Sequence, residues 1–261
     1  MFERTTRQLR LTDEGRLYLQ HCRQALQSLD DARAALSAEK KEIRGKIRVS
    51  ATSDFGRHVL RPWLDEFTTR YPQVVPALLL SDSLSHLIAD DVDLVIRFGV
   101  PPDSSLIARP LAANRRVLCA APSYLKRKGT PTHPAQLGDF DHIVAGQTGW
   151  SSEWRLQCGE ESLLFKVPLE AARETNDGAV ARQWAIDGHG IVLKSIWDVS
   201  ADLAAGRLSR VMPDWHSTEA PVHALYPQSR YLAPRVRALL DFLRERFEKA
   251  SREIVDADRH A

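Results

Sequence analysis

The sequence predicts an α/β protein in which one long helix precedes a larger α/β body, and three observations carry that reading. No proline or glycine stands between Arg16 and Arg44, while Tyr18, Cys22, Ala25, Leu29, Ala32 and Leu36 recur in alternating steps of four and three. From Lys46 to Gly99 the pattern runs strand, helix, strand, helix, strand, the order of parallel units joined by right-handed crossovers. The run from Val74 to Leu80 is almost wholly apolar, which predicts a strand buried on both faces of a parallel sheet.

Taken in order, the chain opens on a short basic hairpin. Leu9 and Leu11 flank Arg10 in period-two alternation, after Arg4, Thr5, Thr6 and Arg7. The forked guanidinium groups of Arg4, Arg7 and Arg10, with Thr5 beside them, suit phosphate oxygens. The same pattern also fits a solvated basic edge strand. Thr12 is placed to cap a helix, with Asp13 and Glu14 in the first turn where the dipole favours negative charge. From Asp13 to Lys41 that helix would be a rod of about 43 Å. A rod with one apolar seam needs a partner, and the simplest is the same helix of a second copy, with Tyr18, Cys22, Ala25, Leu29 and Leu36 in the contact.

Gly45 ends the rod, and 46–51 alternates as a strand. Small polar residues, Thr52 to Gly56, lead into a helix ending near Arg70, and Pro62 suits that helix only in its first turn. A short helix at 83–89 and a strand at 90–99 come next. Ile107 to Ala121 reads as one or two strands, and 122–149 is rich in Pro, Gly and His with two short helical pieces. A hairpin spans 153–157 and 162–169. Asp177 and Gly178 open a helix to Ile186, and 191–193, 208–212 and 222–226 read as strands. Pro234 starts a last helix to about Arg252, with Val236, Leu239, Leu240, Leu243 and Phe247 as its buried stripe and a frayed charged tail after Ser251.

Charge is unevenly spread. The chain carries +2 overall, yet residues 1–48 hold eleven Lys and Arg against seven Asp and Glu. A polyanion would therefore meet the hairpin and rod, not the body. Three cysteines, far apart, suggest neither a disulfide framework nor a zinc knuckle. No apolar run approaches the roughly 18 residues that span a bilayer and no signal peptide opens the chain, so a cytoplasmic protein without membrane contact is expected. There is no Gly-x-Ser-x-Gly, Walker loop or His-Glu-x-x-His. No enzyme, metal or cofactor is expected, and Asp90, Asp91 and Asp93 lack a ligand spacing.

In α/β folds ligands gather at the carboxyl ends of strands, which places Thr52, Ser53, Ser81, Arg97, Phe98 and Gly99 on one rim. Thr52 and Ser53 at a helix start suit a carboxylate as well as a simple cap. Arg97 suits an anion or a salt bridge to a nearby aspartate. Asn176 and Asp177 before a helix read as simple caps or as polar groups offered to a ligand, and Thr148 is counted with them. Trp150 and Trp154 fit an aromatic ligand or core packing.

Phe2-Glu3-Arg4-Thr5, followed by Leu9-Arg10-Leu11-Thr12-Asp13-Glu14-Gly15 and a long helix, resembles the wing and linker helix of LysR-type transcriptional regulators. Asp93 to Gly99, Val117 to Leu125 and Gly188 to Ile191 are similar to the effector-binding domain of the same family. The resemblance implies a two-lobed, periplasmic-binding-protein-like (type 2) effector domain behind a residual winged-helix hairpin. Residues 1–12 would be the residual wing, 13–44 the linker and dimerisation helix, 46–115 with 222–250 one lobe, and 116–221 the other, hinged near Arg116 and Pro221. It implies a homodimer or homotetramer that senses a small-molecule effector, expected to be a carboxylate, between the lobes. In that family three helices, including the recognition helix, precede the wing. The resemblance therefore implies that this chain begins inside the DNA-binding domain and that DNA is a partner where those helices are present. A cytosolic binding module that sequesters a small acid without touching DNA is the other reading.

Overall fold

The computed structural model describes residues 1–4, 9–15, 17–19, 21–22, 25–26, 29, 43–82, 92–99, 106–146, 153–228 and 232–260. At the start, β1 (Phe2–Arg4) and β2 (Leu9–Leu11) pair antiparallel with Glu3 opposite Arg10, so the alternation does form a hairpin. Arg4 and Arg10 stand on these strands, while Thr5 and Arg7 lie outside the described residues. Thr12 caps the helix after β2, its Oγ1 accepting the Gly15 N–H at 3.1 Å. Every described position from 13 to 29 is helical. Tyr18, Ala25 and Leu29 of the seam, with Leu17 and Leu26 beside it, stand exposed, and Cys22 is half-buried. Ala32 and Leu36 lie outside the described residues.

The body is built on two sheets. Gly45, held at φ +102°, turns the chain into β3 (Gly45–Ala51). Then come α1 (Ser53–Phe55), a π-helical turn (Gly56–Leu60) and α2 (Arg61–Arg70), which run on without a break. Pro62 is the second residue of α2, inside its first turn as expected, where its missing N–H is not required.

β4 (Val74–Leu80), β5 (Leu94–Phe98), β6 (Leu106–Ala112) and, much later, β15 (Val222–Pro227) complete the first sheet in the order β4-β3-β5-β15-β6. β3 runs parallel to both β4 and β5, and β15 antiparallel to β5 and β6. β4 is therefore an edge strand, and Val75 is 58% exposed, so the expectation of burial on both faces fails. Pro76 within the run was the overlooked sign, because a proline, lacking a donor, is tolerated at an edge.

The second sheet takes β7 (Arg116–Ala120), β8 (His142–Ala145), β9 (Glu153–Cys158), β10 (Glu161–Lys166), β11 (Arg173–Thr175), β12 (Ile191–Ser195) and two short strands, β13 (Ser209–Arg210) and β14 (His216–Ser217). Its order is β10-β9-β14-β7-β12-β8-β11, with β13 also on β7. Helices α3 (Pro122–Lys128), α4 (Gly178–Ile186) and α5 (Ile196–Ala204) belong to this half, and α6 (Pro234–His260) closes the chain. β8 and α5 were not foreseen. The strand expected over 208–212 shrinks to β13, because Met212 sits at φ +50° and turns the chain away. α6 continues to His260 where fraying was expected, since no glycine or proline interrupts 235–260. The helix expected over 83–89 lies outside the described residues.

Two cores result. In the first, Trp63, Leu64 and Phe67 of α2 meet Val236, Leu239, Leu240, Leu243 and Phe247 of α6 over Ile47, Val49 and Ile96. The second gathers Leu118, Tyr124, Leu137, Trp154, Leu156 and Ile191. All three cysteines are free, and burial pushes the Cys119 thiol up to about 12, which leaves it inert. Among the described residues no helix is long and apolar enough to cross a membrane.

His142 is 2% exposed, with ring centroids 5.4 Å from Trp154 and 5.1 Å from Phe165. Burial holds its pKa below the ordinary 6.5. The unfolded chain therefore takes up a proton as pH falls through about 6.5 while the folded chain resists, so stability is full above that pH and declines below it. Urea titrations from pH 7.5 to 5 are expected to show this loss, by at most about 1.4 kcal/mol per pH unit. His142→Phe should flatten the profile, and an unchanged slope in that variant would assign the loss to other groups.

Candidate functional site

Three chain ends converge between the sheets. β3 delivers Thr52, Ser53 and Asp54 at its carboxyl end, β5 delivers Arg97, Phe98 and Gly99, and the β11–α4 turn delivers Asn176, Asp177 and Gly178. Parallel strands leave their carboxyl ends on one rim, and Gly99 at φ +92° turns β5 sharply at that rim. Gly99 N–H also donates to Pro221 O at 2.9 Å, where the returning chain passes between the sheets.

The helix ends do not stand open. Asp82 places its carboxylate between them, accepting Ser53 N at 2.6 Å through Oδ1 and Gly178 N at 3.0 Å through Oδ2. The Ser53 hydroxyl lies 2.8 Å from Asp82 Oδ2 and 2.9 Å from Asp177 Oδ1, and with one proton it donates to one of them at a time. Asp177 Oδ1 caps α4 by accepting Ala179 N at 2.8 Å, and Arg57 Nη1 approaches Asp177 Oδ2 at 3.2 Å. Burial works against the Asp177 charge, but Ser53, the Ala179 N–H and Arg57 overcome it and hold its carboxyl below the ordinary carboxylate range. Arg57 is 45% exposed, so that ion pair adds specificity more than stability.

Beneath them lies a buried charge cluster. Lys194 of β12, 6% exposed, puts Nζ 2.7 Å from Asp54 Oδ2, 2.9 Å from Asp198 Oδ2 and 3.1 Å from Gly178 O. Burial disfavours the ammonium, yet the two carboxylates outweigh it and raise its pKa. Burial raises Asp54, with Lys194 opposing. Arg182 of α4 bonds Asp202 at 2.6 Å and reaches Asp54 at 3.8 Å. Asp54 thus ties the first sheet to Lys194 and Arg182 of the second.

Above this cluster is a cavity of about 340 Å³ lined by Thr52, Asp82, Arg97, Phe98, Gly99, Asn114, Arg116, Asn176, Lys194, Asp198 and His223, among others. Of the residues expected from the sequence, Thr52, Arg97, Phe98, Gly99 and Asn176 line it. Ser53 and Asp177 are engaged with each other behind its wall. Ser81, whose N–H donates to Ala51 O, also stands off the lining, and Thr148 lies outside the described residues. Among the described residues Arg97 does not meet an aspartate directly. Its Nη1 donates to Ile96 O at 2.8 Å and its Nη2 to Ser50 Oγ at 3.1 Å, while burial lowers it to about 10 against the pull of Asp82. Trp154 is core, and Trp150 lies outside the described residues. Among the described residues no group of His, Cys, Asp or Glu is arranged to hold a metal.

Asp54, Asp82, Asn114, Lys194, Asp198 and His223 escaped the sequence reading. Asp54 and Asp82 carried a signal, each standing directly after a serine, Ser53 or Ser81, at a strand's end; the others enter through contacts between distant segments.

Residues 40–248 match the profile of the LysR substrate binding domain. The chain is 34% identical over 249 residues to the HTH-type transcriptional repressor PA14_22550 of Pseudomonas aeruginosa, covering 95% of this chain and 78% of that protein. It is 34% identical over 250 residues to the HTH-type transcriptional regulator DmlR of Escherichia coli, covering 95% and 80%. Among solved structures, CrgA, a LysR-type transcriptional regulator from Neisseria meningitidis, superposes with a TM-score of 0.72 at 29% identity, covering 94% of this chain and 83% of that one.

Proposed function

This chain belongs to the LysR family of transcriptional regulators, and from that premise we propose that it senses a small anionic metabolite, a carboxylate, in the cleft between its two sheets. The observation that carries the reading is the 340 Å³ cavity, whose lining includes Arg97, Arg116 and Lys194. Lys194 is neutralised by its two aspartates, so Arg97 and Arg116 are left to attract the ligand. Residues 46–115 with 222–250 act as one lobe and 116–221 as the other. An effector that binds one lobe arrangement better than the other shifts the equilibrium between them and, through residues 13–44, the DNA-binding ends of the assembly.

The dimer forms through the seam of Tyr18, Cys22, Ala25 and Leu29, with Leu36 beyond it, and Arg4, Thr5, Arg7 and Arg10 contact phosphates. Such contacts orient a protein on DNA without reading its sequence. The protein works in the cytoplasm, where its DNA is.

The test is selection of genomic fragments by the protein purified from its native locus, then gel shifts over a salt series. Discrete sites bound with a steep salt dependence are expected, and binding should change on adding the carboxylate that calorimetry identifies. Leu29→Asp should convert the sedimenting dimer to a monomer and abolish the shift, because a buried seam charge has no partner. Carboxylate binding with no DNA retained would make the protein a sequestering module instead.

A further inference from the structure

The carboxylate of Asp82 is coordinated as a bound anion would be. Two main-chain N–H groups at helix starts converge on it, Ser53 N on Oδ1 at 2.6 Å and Gly178 N on Oδ2 at 3.0 Å, and the Ser53 hydroxyl lies 2.8 Å from Oδ2. Free N–H groups backed by a helix dipole receive carboxylates and phosphates. Here the acid group comes from the chain itself.

The two donors belong to different halves of the molecule. Ser53 opens the helical run after β3 of the first sheet, and Gly178 opens α4 after β11 of the second; they lie 29 and 96 positions from Asp82. Asp82 itself follows β4, where Ser81 N donates to Ala51 O at 3.0 Å and prolongs the pairing with β3. The aspartate is thus anchored beside the point it fills. A group tethered so closely competes with a free ligand at an effective concentration on the order of millimolar or higher. Asp177, which shares the Ser53 hydroxyl, is engaged by Arg57 at 3.2 Å and by the Ala179 N–H at 2.8 Å, so Ser53 N and Gly178 N are left to Asp82. Thr52, Asp82 and Gly178 all line the 340 Å³ cavity, so the place that Asp82 fills borders the space an effector enters.

We propose that Asp82 is a built-in ligand, whose carboxylate occupies the anion position between the two helix starts and keeps small carboxylates out of it. The proposal rests on the reading of the cleft as the effector site and adds a device that restricts it. A position open only about a tenth of the time binds about 10-fold more weakly than its donors allow. A ligand with further contacts in the cavity overcomes that handicap, and one as small as acetate does not. Asp82 therefore sets the cleft against simple monocarboxylates.

The experiment is isothermal titration of the full chain and of Asp82→Ala with acetate, succinate and benzoate, with acetamide as the uncharged counterpart of acetate. Asp82→Ala is expected to bind acetate about 10-fold or more tightly than the unsubstituted chain and to show no such gain for acetamide. Affinity gained on losing a side chain is not what damage to the fold produces. Thermal melts establish folding, and if Asp82→Ala folds only with acetate present, the added acid has replaced the missing one and the proposal is upheld. A folded variant that binds acetate no more tightly than the unsubstituted chain, or an unfolded one that acetate does not restore, overturns it. The effector reading survives that failure if the unsubstituted chain binds succinate or benzoate. Acetate bound by Asp82→Ala, with none of the three acids bound by the unsubstituted chain, upholds the proposal and counts against a small carboxylate as the effector.

Discussion

Lys194→Met is expected to cost about 3–5 kcal/mol of folding stability, read as a lowered midpoint in urea unfolding at pH 7. The ammonium stands between Asp54 and Asp198, 2% and 9% exposed, and removing it leaves two like charges facing each other away from water. Burial already raises Asp54 with the lysine in place, and without it the carboxyl should shift further and take up a proton. The loss should therefore shrink as pH is lowered towards the raised value, the reverse of the trend set by His142. Adding Asp54→Asn and Asp198→Asn to Lys194→Met should recover much of the loss, since the triple variant buries no unpaired charge. A loss below about 1 kcal/mol in the single variant would show that water reaches both carboxylates. Because Asp54 lies just after β3 and Lys194 lies in β12, the substitution also removes a tie between the two sheets.

Phe247→Ala should cost a similar amount, about 3–5 kcal/mol, for a different reason. Phe247 is fully buried near the middle of α6. It stacks on Phe55 at 5.8 Å with planes 10° apart and meets the edges of Trp63 and Trp197, each at 4.9 Å. Phe55 and Trp63 come from the helical run after β3, and Trp197 comes from α5, whose indole N–H donates to Ala113 O at 3.0 Å. Truncation opens a cavity that three rings on two separate elements would have to collapse into, and packed aromatic rings relax poorly. Phe247→Leu, which keeps most of the volume, should lose much less. Denaturant unfolding of both variants checks the ordering, and equal losses would mean that the cost lies in the ring contacts and not in the cavity.

The elements legible in the sequence were those with a local cause. The seam of Tyr18, Ala25 and Leu29 has helical spacing, and the stripe from Val236 to Phe247 has the same period, so each face could be assigned without knowing its neighbour. Asp177 was legible as a cap because Gly178 and an apolar run come directly after it. β8 and α5 were missed because His142 to Ala145 is too short for a period to show, and because α5 begins directly at the end of β12 with no breaker between them. Pro76 did carry the edge position of β4, but the surrounding apolar run outweighed it. The family, too, was legible in short motifs at the N-terminal hairpin, at the end of β5 and around Gly188.

The sequence by itself determined that this is an α/β chain with an amphipathic helix ahead of it, and that a rim of polar residues gathers at strand ends. Periodicity, caps and breakers act over a few residues, and strand ends share a rim wherever strands run parallel. Only the tertiary structure decided which distant groups come together. Asp54 with Lys194, Asp82 with Gly178 and Arg97 with His223 are separated by 96 to 140 positions. No local pattern carries such pairings, because they arise when β15 returns between β5 and β6 and the β11–α4 turn closes onto the end of β3. The same folding step placed Asp82, next to the rim residue Ser81, at the point where two helix ends converge. It also left Arg97 Nε and His223 Nδ1 buried, without a hydrogen-bond partner among the described residues.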